Sequence, residues 1–259
     1  LICAMQNINI APEGWRLFHA ASATSSSDLA FDYLEKYPGS DKVAFRVDEQ
    51  TKGRGRQGRI WTSDSGDGMY LSAVIAPGGN FADWPSLSFM TALSLLQAVQ
   101  IILPELASRL WVKWPNDVLL DGHKIAGILL EARPPSLIIG CGLNLKNAPQ
   151  IEGRIPPAGD LSMFSRKKVT AHQLACQLLE CLSENLIRWQ SKDGPSSCIR
   201  MWREFCDMVG QTIEVTLPDS VLRGICTSID DDGVLGLEDI SGVMHRITTG
   251  DVQIMKTSS

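Results

Sequence analysis

No two cysteines in this chain are spaced to grip a metal, histidine is scarce, and positive charge is in deficit. Each lack removes a class of protein. The seven cysteines (3, 141, 176, 181, 198, 206 and 226) are odd in number and contain no CxxC pair, and the four histidines are scattered. Zinc frameworks and disulfide scaffolds both need regular spacings, so reduced thiols packed as small hydrophobes are expected. Lysine and arginine total 24 against 29 acidic residues, a net charge of −5. That argues against a general nucleic-acid binder, whose surface is basic. No apolar run in the sequence reads as a bilayer span of about 20 residues. The opening "LICAMQNINIAPEGW" has neither a basic start nor a long apolar stretch, so no signal peptide is expected. No internal repeat or low-complexity tract is present.

What remains is an ordinary globular composition, 44% hydrophobic and 20% charged over 259 residues. That length accommodates one large domain, or a large and a small one. The spacing predicts strands over Val43–Gln50 and Met69–Ala76, and a helix from Pro85 to Leu103 closed by Pro104. "LWVKW", "DVLL" and "HKIAGILLEA" follow as strands, the last two joined by a hairpin at Asp121-Gly122. "SLIIGCGLNL" reads as a buried strand, and residues 146–160 as a surface loop. An amphipathic helix is expected over Thr170–Trp189, with Leu174, Leu178/Leu179, Leu182 and Leu186/Ile187 on its apolar face. A shorter helix is expected over Ser197–Phe205. After Gly210, short strands broken by turns suggest a small β-barrel. The segment from Asp207 onward carries nine acidic residues against three basic ones.

Against that acidic background, "KGRGRQGR" (52–59) concentrates four cations and three glycines in eight residues. Such a loop is poor structure on its own, so an anion is expected to order it. Exposed backbone N–H groups and the forked guanidiniums of Arg54, Arg56 and Arg59 suit a phosphate or carboxylate. The dull alternatives are a solvated linker or an RNA-binding tail, and two flanking strands weigh against the tail. A second cluster, Lys113-Trp114-Pro115-Asn116-Asp117, sits at a strand end. It reads either as a plain turn or as a cation, an amide and a carboxylate able to hold a triphosphate with its Mg²⁺. A third feature is Lys124, opening an apolar strand. Strict alternation puts it with Ala126, Ile128 and Leu130, opposite His123, Ile125, Gly127, Leu129 and Glu131. It serves either as an edge gatekeeper or as a grip on developing negative charge. "GCGLN" (140–144) adds glycines that permit close backbone approach, and Asn144 as a polar contact.

Taken in order, "GRGRQGRIW", "VKWPNDVLLDGHKIAGILLE" and "GCGLNL" resemble the biotin protein ligases. Matching runs extend from about Ser26 to Leu145, and the C-terminal strands also fit. The resemblance implies an α+β fold: a mixed sheet with flanking helices, like class II aminoacyl-tRNA synthetases (1–207), then a small SH3-like barrel (208–259). It implies a ligase that joins biotin to AMP from MgATP, releases pyrophosphate, and passes biotin to one lysine of a biotin carboxyl carrier domain.

On that resemblance Lys124, Arg54 and Arg56 are the catalytic residues. Biotin falls to Gln50, Gly53, Arg54, Gly55, Arg56, Lys124, Gly127 and Gly142, and to Ser26-Ser27-Asp28, where the family usually has Ser-Thr-Asn. ATP falls to Arg54, Arg59, Trp61, Lys113, Asn116, Asp117 and Asn144, with Asp117 as a Mg²⁺ ligand. No tightly bound cofactor is implied. The expected setting is the cytoplasm, with no membrane contact, and a homodimer is compatible with the family. Few residues precede Ser26, too few for the helix-turn-helix domain that many relatives carry, so a ligase without DNA binding is expected. A lipoate ligase or octanoyltransferase is the alternative enzyme; "GRGRxGR" and "KWPND" favour biotin over it.

Overall fold

The computed structural model of the chain describes residues 6–8, 11–150 and 155–255. Cys3, the signal-peptide expectation on the first residues, and residues 151–154 of the expected 146–160 loop lie outside the described residues.

An eight-stranded mixed sheet forms the larger part, in the order β1-β2-β3-β4-β8-β7-β6-β5. Its strands are β1 (Gln6–Ile8), β2 (Arg16–Ala23), β3 (Val43–Gln50), β4 (Gly68–Ile75), β5 (Leu110–Lys113), β6 (Asp117–Leu120), β7 (His123–Arg133) and β8 (Ser136–Asn144). β2 and β3 run parallel, joined through helix α1 (Ser26–Lys36); every other pair is antiparallel. Asp121 and Gly122, both at positive φ (47° and 75°), make the β6–β7 turn, as the Asp-Gly signal requires.

Both faces of this sheet are covered, and β4 shows it by being buried along its whole length. Met69, Leu71, Ala73 and Ile75 join the core under α2 (Leu87–Ile102), α3 (Ala171–Trp189) and α4 (Gly194–Arg203). Tyr70 and Val74 point the other way, onto Leu29, Ala30 and Tyr33 of α1.

Helix α3 starts at a capping box, Thr170 and Gln173 each accepting the other's backbone N–H. Its apolar stripe is as expected except at Ile187, which is 70% exposed. Helix α4 begins three residues earlier than the spacing predicts, with Pro195 in the first turn, where a missing N–H is harmless. Phe205 falls outside the helix, its carbonyl accepting from Val112 N at 2.9 Å. The segment Phe81–Ile102 is, by length and composition, apolar enough to cross a membrane, which the sequence reading did not anticipate; it is mostly buried inside the fold.

The C-terminal strands β9 (Thr212–Thr216), β10 (Val221–Ile229), β11 (Leu235–Asp239), β12 (Met244–Ile247) and β13 (Asp251–Ile254) form an antiparallel sheet ordered β12-β11-β10-β9-β13. No β12–β13 pairing closes it among the described residues, so the strands expected to form a small SH3-like barrel make an antiparallel sheet without a closing pair.

Core residues of the two sheets belong to one apolar cluster, and Trp114 rivets them together. Its side chain is fully buried, and its Nε1–H donates to the carbonyl of Gly233 at 2.9 Å. Gly233 is at φ 79°, and a Cβ there would come within 2.7 Å of the Phe89 ring. Trp114→Phe removes the donor and strands a buried carbonyl. It should lower the unfolding free energy by about 1–3 kcal/mol, read by denaturant titration; an unchanged midpoint would show that the rivet carries no weight.

Candidate active site

The register of the large sheet lines up the site. Lys113 pairs with Asp117, Asp117 with Gly127, Gly127 with Gly142, and Gly142 with Tyr70. Residues directly opposite one another across adjacent strands share a face, so this row faces α1. Lys124 reaches the same face only because β7 contains a bulge. The pairing shifts between Val118 and Leu119, which sets Lys124 opposite Leu119 rather than Leu120. Strict alternation, which grouped Lys124 with Ala126 and Ile128 and against Gly127, is therefore corrected. Ile125, Ala126 and Ile128 are buried in the core, while Lys124 turns outward and lies 3.4 Å from where a Gly127 Cβ would stand.

At the centre is a buried ion trio. Asp117 Oδ2 lies 3.0 Å from Lys113 Nζ, and Oδ1 lies 2.5 Å from Lys124 Nζ. Burial by itself would raise the Asp117 pKa, but the two ammoniums overrule it and hold the carboxyl far below the usual range. Lys113 is sealed beneath the site with its side chain 3% exposed, whereas the Lys124 side chain keeps 15%. The lower lysine holds the carboxylate, and the carboxylate aims the upper lysine.

Asp117, the residue expected to meet Mg²⁺, has an ammonium group beside each of its oxygens, and among the described residues no group of three His, Cys, Asp or Glu could hold a metal. Asn116, beside it, donates from Nδ2 to the Ile128 carbonyl at 2.7 Å and accepts from Arg56 Nη1 at 3.3 Å.

Over the row lies the arginine-glycine loop, folded as a small hairpin. Gly55 N donates to Arg59 O at 2.7 Å, and a 3-10 turn over Arg56–Gly58 forms the tip, with Gln57 at φ 55° and Gly58 at φ 73°. Gly53 admits no side chain, because a Cβ would sit 2.3 Å from the Trp61 carbonyl. The Trp61 indole rests on the glycine floor: a Cβ on Gly142 would meet it at 2.5 Å, and one on Gly127 at 3.1 Å. Lys124 Nζ stands 5.8 Å from its ring centroid.

The far wall is the N-terminus of α1. Ser25 is the N-cap, accepting from Asp28 N. Ser26 donates to Gln50 Oε1 from both N (2.9 Å) and Oγ (3.2 Å), and the Ser26 and Ser27 hydroxyls both meet Ser72 Oγ. Gln50 Nε2 in turn donates to Ser63 Oγ at 2.8 Å. Asp28 instead binds Arg54 at 2.5 Å, and Arg54 also reaches Glu131 at 3.5 Å.

Most of the expected site residues line this single pocket. Asp28, Gly53 and Lys113 do not line it; they support residues that do. Asn144 donates to the Gly159 carbonyl at 2.9 Å and lines an adjoining recess with Trp61 and Ala158. That recess exists because the expected 146–160 surface loop returns to the sheet: Lys124 N donates to the Pro157 carbonyl, and Gly159 N to the Lys124 carbonyl. Sequence reasoning missed Ser72, Glu131, Gly250 and Asp251. The last two come from the C-terminal sheet, where nothing local marks them.

A larger cleft of about 760 Å³ lies beside the pocket, walled by Phe81, Trp84, Trp114, Leu130 and Val234. It is largely apolar, so size and chemistry point to different places; two anions can be brought together only in the cationic one. No thiol competes for a nucleophile's role there. Burial pushes Cys141, beneath the floor, up to about 12.

Fold and site together define an enzyme of the biotin/lipoate ligase class, and the comparisons agree. The sequence model of the biotin/lipoate A/B protein ligase family matches residues 21–144, and that of the biotin protein ligase C-terminal domain matches residues 209–255. A biotin–[acetyl-CoA-carboxylase] ligase of Mycobacterium tuberculosis is 31% identical over 247 residues, covering 93% of this chain and 90% of that one. The bifunctional ligase/repressor BirA of Bacillus subtilis is 29% identical, covering 80% of this chain and 65% of its own length. A solved structure, the Aquifex aeolicus biotin protein ligase in complex with biotin and ATP, superposes with a TM-score of 0.77 at 25% identity, covering 93% of this chain and 99% of that one. The chain belongs to the biotin protein ligase family.

The ion trio yields a test of its own. Asp117→Asn leaves two buried lysines facing a neutral group and should cost about 3–5 kcal/mol of stability. Because the folded-state pKa of Asp117 is depressed, its contribution is complete above the unfolded value of about 3.9. It is lost only as pH falls through the lower folded value. Unfolding measured from pH 8 to about pH 4 should show a constant difference from the parent; a difference that fades near neutrality would contradict a firmly ionised Asp117.

Proposed function

We propose that this chain is an ATP-dependent biotin protein ligase, and that the pocket under the arginine loop is where biotin and MgATP react. The observation that carries the assignment of the site is the convergence of Lys124, Arg56 and Arg54 over a glycine floor braced by the Asp117 trio. The biotin carboxylate and the ATP triphosphate repel each other, and fixed cations offset that repulsion. A carboxylate oxygen attacks the α-phosphorus, pyrophosphate leaves, and biotinyl-5′-AMP remains as a mixed anhydride. The amine of a carrier lysine then attacks the acyl carbon, and AMP departs.

In this reading Lys124 Nζ bridges the biotin carboxylate and the α-phosphate, with Asp117 fixing its direction. Ser26, Ser27 and Gln50 offer hydroxyl and amide groups to the polar end of biotin, and its ring lies against the backbone at Gly127 and Gly142 once the Trp61 indole moves off that floor. Trp61 and Asn144 border the nucleotide. Mg²⁺ arrives as the counter-ion of ATP, and no step here requires a protein ligand for it. The division at residues 207/208 follows the change from the large sheet to the small one. The partner is a biotin carboxyl carrier domain and the setting the cytoplasm; DNA contact forms no part of the reading, since the chain is acidic outside its loop.

Two measurements test this. Supplied with labelled biotin or labelled lipoate and a carrier domain, the protein should label the carrier with biotin; labelling with lipoate alone would overturn the substrate. Lys124→Ala should lower biotin-dependent pyrophosphate exchange by at least about 100-fold, while Arg56→Gly should still form the adenylate but release it into solution. Normal exchange in the lysine variant would remove Lys124 from the chemistry.

A further inference from the structure

The tip of the arginine loop does not end in solvent. Arg56 Nη2 donates to Thr249 Oγ1 at 3.0 Å, and its Nη1 to the Gly250 carbonyl at 3.4 Å as well as to Asn116. Arg59 Nη2 forms an ion pair with Asp251 at 2.7 Å. Thr249 and Gly250 belong to the short turn between β12 and β13, and Asp251 is the first residue of β13, some 190 residues along the chain. A hydroxyl, a carbonyl and a carboxylate in consecutive residues match what two adjacent guanidiniums require.

The turn is itself held rigidly. Gly250 packs so closely that a Cβ would stand 2.8 Å from Val215 Cγ1, and Asp251 opens β13 opposite Thr216 of β9. The acceptors are therefore presented by a sheet rather than by a floppy tail. Their effect reaches the guanidiniums: burial lowers the Arg56 pKa against the pull of Asp117 and Asp251, while the hydrogen bond to Asp251 raises that of Arg59. At the loop's other end Arg54 is tied to Asp28 and Glu131. The loop is thus pinned at its base by α1 and β7 and at its tip by the C-terminal sheet.

We infer that the β12–β13 turn is the latch of this loop: Thr249 and Asp251 are positioning residues that hold the loop shut over the pocket through Arg56 and Arg59. This rests on the ligase reading, in which the anhydride must be kept from water until a carrier lysine arrives. It also gives the C-terminal sheet a definite task. The sheet need not touch biotin or ATP to be required; it governs how tightly the adenylate is retained.

The magnitudes set the size of the effect. The Arg59–Asp251 pair is half exposed on its arginine side, and such pairs shift an equilibrium by up to about fivefold. The Thr249 hydroxyl contributes a similar factor. Each arm alone should loosen the loop severalfold, and both together about tenfold or more.

The experiment uses the full chain with Asp251→Asn, Thr249→Val and the double variant, each close in shape to the parent. Two readouts are taken: the rate of trypsin cleavage after Arg54, Arg56 and Arg59 without substrates, and the labelled biotinyl-AMP lost to solution per biotin delivered. Asp251→Asn should speed loop cleavage and adenylate loss by about 3–5-fold and the double variant by about tenfold, with the melting temperature of the domain held. Asp251→Glu should restore most of the retention. Salt at 1 M should bring the parent toward Asp251→Asn, because it screens the ion pair. A double variant whose loop resists trypsin and keeps its adenylate like the parent would overturn the latch. A parent that forms no biotinyl-AMP would overturn the ligase reading instead, and the trypsin result would still decide whether the turn holds the loop.

Discussion

A single buried carboxylate, Asp117, organises the reactive face of this molecule. Its two oxygens are shared between Lys113, buried beneath the site, and Lys124, which reaches the pocket. Burying three charged groups is expensive unless each is compensated. Here one negative charge stands between two positive ones, leaving an excess positive charge pointed at the place where anionic substrates would meet. The sheet register that aligns Lys113, Asp117, Gly127 and Gly142 is what makes the arrangement rigid, because a one-residue slip would turn all four away. The glycines matter for the same reason: anything larger at Gly127 or Gly142 would displace the Trp61 indole.

Much of this was legible in the chain. The β6–β7 hairpin follows from Asp121-Gly122, the long strands from their β-branched runs, and α3 from its leucine stripe. The candidate site was legible where composition conflicts with context, as in an arginine-glycine run in an acidic protein and a lysine heading an apolar strand, which line one pocket. What period-2 reasoning could not reveal was the bulge near Ile125, which reverses the face of Lys124. A bulge changes the count by one residue without leaving a mark in composition. Trp114 sits inside a motif that reads as chemistry, yet its indole joins two sheets by donating to Gly233. Asp251 and Thr249 carry no local signal, since their meaning depends on a contact that only the folded chain creates.

The two halves divide the labour accordingly. The large sheet supplies fixed charge and a smooth floor, while the small sheet braces the one segment whose glycines would otherwise let it wander. Arginine suits that segment because its fork can bind a hydroxyl, a carbonyl and a carboxylate in one geometry. An acidic C-terminal sheet, puzzling in isolation for an enzyme of anionic substrates, offers the carboxylate that such a loop needs.

The most direct measurement is a crystal structure of the protein with biotinyl-5′-AMP. The account requires the phosphate of the adenylate to lie within about 3.2 Å of Lys124 Nζ, with Asp117 still between the two lysines and the arginine loop closed above. An adenylate seated in the larger apolar cleft, or one whose phosphate is out of reach of Lys124, would contradict it.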